Sequence, residues 1–92
     1  MTKQYFKRRW DESRGDEFDM WGEATYYFAV GDDGLLARQV EVYQSGPTLS
    51  YGPDRPEDRF GFLGHIRLDE VEDWTPWAIT QSEFEAIWAI EQ

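Results

Sequence analysis

The single imidazole of the chain, His65, stands between Gly64 and Ile66, and the hydroxyl nucleophiles available to it as serines are Ser13, Ser45, Ser50 and Ser82. Nucleophilic catalysis needs a hydroxyl or thiol held against a base. None of these serines sits in a Gly-x-Ser-x-Gly elbow, and there is no cysteine. No catalytic residue is assigned, the protein reads as non-enzymatic, and His65 reads as structural. Carboxylates are abundant in "DESRGDEFD" (11–19), "GDDG" (31–34) and "DEVED" (69–73). Oxygen-rich loops can hold a divalent cation, but none of the three has the alternating spacing of an EF-hand loop. No Gly-rich loop joins a strand to a helix, so phosphate cradling by that route is absent. Neither a metal nor a cofactor is expected.

Two constellations carry more information. In "LLARQVEVY" (35–43), Arg38 falls in the same two-residue row as Leu36, Val40 and Val42, so a strand that buries this row sends a guanidinium in with the aliphatics. Three resolutions are open. The head snorkels past the core and pairs with Glu23 on the neighbouring strand, a bulge near Ala37 resets the parity, or Arg38 marks the mouth of a pocket for an anionic group. The second constellation is Trp74 and Trp77 beside Asp69, Glu70, Glu72 and Asp73. The indoles serve either as packing or as an exposed patch rimmed by acids, which suits a cationic protein: charge speeds the encounter and aromatic area holds the complex.

Net charge narrows the partners. The chain carries 9 bases against 19 acids, yet its first nine residues hold Lys3, Lys7, Arg8 and Arg9 without an acid. The remainder, at −14, repels phosphate backbones and anionic lipid. "KQYFKRRW" interleaves bases with aromatics as single-strand binders do, but inside that field it reads as a strand neutralising its neighbours. No nucleic acid and no membrane partner is expected. The start of the chain lacks an apolar signal region, and no apolar run approaches a membrane span, so a cytoplasmic protein is expected.

The elements that must position these residues follow from punctuation. Residues 3–10 and 23–30 read as strands, with Tyr26, Phe28 and Val30 on one face of the second and Thr25, Tyr27 and Ala29 on the other. "GDDG" supplies a hairpin turn, residues 35–44 return, and "QSGP" leads into a short partner, "TLSY", with Leu49 and Tyr51 on one face. Residues 52–59, with two prolines and five charges, read as a mobile excursion. Residues 60–74 read as a short strand or an irregular segment tucking Phe60, Phe62, Leu63, Ile66 and Leu68 inward. In "ITQSEFEAIW", Thr80 caps a helix whose Glu83 reaches back, Ile79 packs on Phe84, and Phe84, Ile87 and Trp88 share one face. At that length the helix must dock to persist. The expected fold is α+β: one domain over 1–92, an antiparallel meander of about four strands packed against one C-terminal helix.

"TYYFAVGDDGLLARQVEVYQSGP", "EDRFGFLGHIRLDEVEDW" and "AITQSEFEAIW" together resemble a family of small acidic bacterial proteins without an established activity. These share an aromatic strand, an Asp-Gly turn, an Arg-Gln-aliphatic-Glu strand, a Gly-Pro step and a closing helix ending in Phe and Trp. The likeness spans about residues 5–88 and implies a bacterial cytosolic protein. His65 with Arg67 departs from it, since that segment is expected to be more acidic. By analogy with immunity or antitoxin proteins, the functional expectation is a protein-binding module. It would engage a basic partner such as a toxin through Asp69, Glu70, Glu72, Asp73, Trp74 and Trp77. The alternatives are a small-molecule-binding protein or enzyme with a pocket lined by Arg38, Tyr27 or His65, a mimic of DNA charge, and a homodimer in place of a monomer.

Overall fold

The computed structural model describes residues 4–10, 17, 19–31, 34–53, 55–58, 63–64 and 73–90. Among the described residues, five strands, β1 (Gln4–Trp10), β2 (Ala24–Val30), β3 (Leu36–Tyr43), β4 (Thr48–Tyr51) and β5 (Ala78–Ile79), precede one α-helix, α1 (Gln81–Ile90). They form one antiparallel sheet in the order β4-β3-β2-β1-β5. The expected α+β class and meander hold. The additional strand, β5, is two residues long and pairs with Tyr5 and Phe6 of β1.

The β2–β3 hairpin turns where the Asp-Gly step predicts it. Gly34 adopts φ +82°, which costs a residue without Cβ nothing, and its N–H donates to the Gly31 carbonyl at 3.0 Å. The parity problem of Arg38 is solved two residues further on. Ala29 opposes Arg38 whereas Val30 opposes Leu36, so the ladder slips by one residue and Ala37 is the extra one. The bulge displaces Leu36, not Arg38. Arg38 shares its side of the sheet with Val40 and Val42, and Leu36 goes to the other.

Both sides of the sheet carry buried clusters, whereas a meander packed against one helix accounts for only one of them. Beneath α1, Tyr5, Ala29 and Val40 form a core with Tyr27, Val42 and Ile79, into which Phe84, Ile87 and Trp88 pack. The predicted cap is present: the Glu83 N–H donates to Thr80 Oγ1 at 3.1 Å. Phe84 is fully buried, 5.4 Å from the Tyr5 ring and stacked on Trp88. On the opposite side, Phe6, Phe28, Val30, Leu36 and Trp74 form one cluster, and Ala24, Tyr43, Leu49 and Tyr51 another. Trp21, Leu63 and Trp77 cover that side from connecting segments. The aromatic richness of the chain thus closes a second layer on the side away from α1.

Of residues 52–59, expected to be a mobile excursion, 52–53 and 55–58 are described and are bonded back to the end of β4. Gly52 and Arg55 exchange backbone hydrogen bonds at 3.1 Å, and the Tyr51 hydroxyl donates to Asp58 Oδ1 at 3.0 Å. Arg55 Nη2 donates to the carbonyl and the hydroxyl oxygens of Ser50. A cation placed on the backbone of an edge strand also blunts its tendency to pair with another chain. Of the segment expected to tuck inward, Leu63 does so, while Phe60, Phe62, Ile66 and Leu68 lie outside the described residues. Among the described residues, no helix is long and apolar enough to cross a membrane.

Candidate functional site

The turn Asp73–Trp77 is built from its own sequence. Pro76 favours the short 3-10 turn Thr75–Trp77, and the Trp77 N–H donates to the Trp74 carbonyl at 2.9 Å. Asp73 Oδ1 accepts from the Thr75 hydroxyl at 2.7 Å and from the Thr75 N–H at 3.0 Å. These bonds, the hydroxyl first, hold the Asp73 carboxyl below the usual carboxylate range and keep it charged on an exposed surface. Trp74 turns the other way. It is 6% exposed and packs edge-on against Phe6 and Phe28 at 6.1 and 5.7 Å. As a contact residue Trp74 is corrected: it is a core anchor that fixes the turn to the sheet. Trp77 stays half-buried, 5.7 Å from Trp74.

The sequence did not reveal what lies on these indoles. The Arg8 guanidinium sits 4.1 Å from the Trp77 ring centre and 5.1 Å from that of Trp74. Arg8 belongs to the basic first strand, which therefore supplies a cation–π lid to the tryptophan turn. Register carries this signal: Phe6 opposes Ala78, and Arg8 shares the side of Phe6 two residues on. Asp73, Trp74 and Trp77 are thus brought together with Arg8, while Asp69, Glu70 and Glu72 lie outside the described residues.

Arg38 is committed to the fold. Nη1 and Nη2 donate to Oε1 and Oε2 of Glu85 on α1 at 2.7 and 2.9 Å, a bidentate fork. The guanidinium carbon lies 4.9 Å from the Phe84 ring centre and 5.2 Å from that of Trp88. The bonds to Glu85 raise its pKa further above the ordinary arginine value. The expected partner, Glu23, is corrected: it pairs with Arg9 Nη2 at 2.9 Å. Register explains why. Ala29 opposes Arg38, and Glu23 lies six residues before it, roughly 20 Å along the strand at about 3.3 Å per residue. Its fork is thus filled by the chain's own carboxylate. Tyr27 lies in the core beneath α1, and His65 lies outside the described residues. A shallow open cleft of about 220 Å³ lies beside Arg9, Glu23, Thr25, Val42 and Gln44.

The second row of β3 was also unanticipated. Gln39, Glu41 and Tyr43 are buried on the side away from the helix, where an alternating pattern suggests solvent. Gln39 Nε2 donates to Glu41 Oε2 at 2.6 Å, and the Tyr43 hydroxyl donates to Glu41 Oε1 at 2.5 Å. Burial first, and the bond to Glu41 second, push the Tyr43 phenol far above its ordinary range. Among the described residues, no group of three or more histidines, cysteines or carboxylates is gathered as a metal site. Comparison of the chain with protein-family models, with curated proteins and with solved structures finds no match.

Proposed function

We propose that the protein is a non-enzymatic binding module, immunity- or antitoxin-like, that engages a basic protein through the turn ending at Trp77. The observation that carries this reading is the pairing of an exposed carboxylate, set by Thr75, with a half-buried indole four residues on. Trp74 holds the turn rigid, so little ordering entropy is lost on contact. Asp69, Glu70 and Glu72 belong to the same acidic run in sequence and extend the field around it. The net charge of −10 accelerates encounter with a cationic partner.

The experiment is capture of a cationic protein from the source cell by the wild type, followed by calorimetric titration of that protein against the wild type, Trp77→Ala, Asp73→Lys and a distant charge control, Glu57→Lys. Glu57 follows β4, at the opposite end of the sheet from β5. Loss of a hot-spot aromatic weakens binding by about 30-fold, from a typical cost of about 2 kcal/mol. Asp73→Lys should weaken binding and slow association, while Glu57→Lys should do markedly less. Equal weakening by Asp73→Lys and Glu57→Lys reduces the interaction to net charge, as a DNA mimic would give, and competition by duplex DNA would then confirm that alternative. Unchanged binding by Trp77→Ala overturns the assigned face.

A further inference from the structure

The buried row of β3 does something beyond satisfying itself. Each oxygen of the Glu41 carboxylate accepts one hydrogen bond, from Gln39 Nε2 and from the Tyr43 hydroxyl. A carboxylate accepts and does not donate, so the Gln39 amide must turn its NH₂ toward Glu41. Its carbonyl oxygen then faces outward, and the Gly64 N–H donates to it at 3.1 Å. Gly64 is suited to the close approach: a Cβ there would meet Leu36 Cδ1 at 2.9 Å. The preceding residue, Leu63, packs against both clusters on this side of the sheet, and its N–H donates to the Pro56 carbonyl at 2.7 Å.

Leu63 and Gly64 are therefore fastened over the seam between the Phe28 and Tyr51 clusters by a side-chain relay and a loop contact. No ladder of strand bonds joins the described residues of this segment to the sheet. Segments held in this way open at lower free energy than the body of a sheet. We infer that Leu63–Gly64 is a strap that opens independently of the sheet, and that Glu41 latches it by orienting Gln39. Glu41 is a positioning residue: it acts on Gly64 through the amide between them. The inference is independent of the binding face assigned to Trp77.

Amide hydrogen exchange followed by NMR on the full chain tests it. In the wild type, the Leu63 and Gly64 amides should exchange faster than those of Phe28 and Val40, with little dependence on low denaturant. Gln39→Met removes the acceptor and should lower protection at Gly64 about fivefold to tenfold, as expected for one hydrogen bond. Glu41→Met should lower it comparably while leaving the Phe28 amide unchanged, and the double variant should go no further than either single one. Should Glu41→Met fail to fold, Glu41→Gln keeps the volume but can present its own NH₂ to Gln39, and should lower Gly64 protection about twofold or more. Gly64 protection that is unchanged in the Glu41 variants, or that follows global unfolding in the wild type, overturns the latch.

Discussion

Replacing Arg38 tests what docks the helix. The fork to Glu85 joins β3 to α1 across a partly shielded boundary, with the Arg38 side chain 17% exposed and that of Glu85 41% exposed. Exposed pairs are worth about 0 to 1 kcal/mol, and breaking a fully buried pair costs about 3 to 5 kcal/mol. Discounted for the solvent that reaches Glu85, the fork should contribute about 1 kcal/mol. Contacts of the guanidinium with Phe84 and Trp88 add about 0.5 to 1 kcal/mol each. Arg38→Ala should therefore destabilise by about 2 to 3 kcal/mol, lowering the melting temperature by roughly 10 to 20 °C for a domain of this size. Arg38→Met keeps an apolar stem against the rings and should cost less than Arg38→Ala. Urea unfolding read by tryptophan fluorescence and circular dichroism gives these values, and a cycle with Glu85→Ala isolates the pair. A total cost below about 0.5 kcal/mol for Arg38→Ala, or a coupling in the cycle within about 0.3 kcal/mol of zero, would refute the reasoning.

Two further outcomes follow from the other side of the sheet. A Cβ at Gly46 would lie 2.4 Å from Cγ and 2.7 Å from Cβ of Trp21, the rigid root of that side chain. Gly46→Ala should push the indole off Tyr43 and destabilise by about 1 to 3 kcal/mol, visible as a lower melting temperature and altered near-ultraviolet dichroism; a melt like that of the wild type would count against this packing. Because the Tyr43 phenol is raised in the folded state, its contribution is complete below the unfolded value of about 10 and is lost as pH rises above it, the unfolded chain ionising first. Urea stability measured from pH 8 to 11.5 should fall over the upper part of that range, and Tyr43→Phe should flatten the fall; an equal slope in both proteins would contradict it.

Where local rules act alone, the sequence was readable. The β2–β3 hairpin follows from an Asp-Gly step, and the Thr80 cap and the Phe84, Ile87 and Trp88 face follow from helical spacing. Partners chosen by register were not readable. Arg38 has carboxylates in many directions along the chain, and only the pairing of Ala29 with Arg38 and the docking of α1 select Glu85 over Glu23. The buried position of Glu41 was hidden for a related reason. A polar row alternating with Val40 and Val42 looks solvent-facing until a second apolar layer, made of Trp21, Leu63 and Trp74, is known to cover it. The acidic run at 69–73 was visible as charge, but the burial of Trp74 depends on Phe6 and Phe28, far away in sequence.

The slip at Ala37 gives β3 two phases. Upstream of it the even-numbered position looks toward Trp74, and downstream the even-numbered positions look toward α1. Removing Ala37 alone would set Leu36 next to Arg38 on opposite sides and close the ladder without a slip. Removing a residue between Arg38 and Tyr43 would instead put the two ends of the strand out of step, forcing either an arginine among the indoles or the valines away from the helix. Downstream of the slip, β3 thus tolerates changes of letter more readily than a change of count.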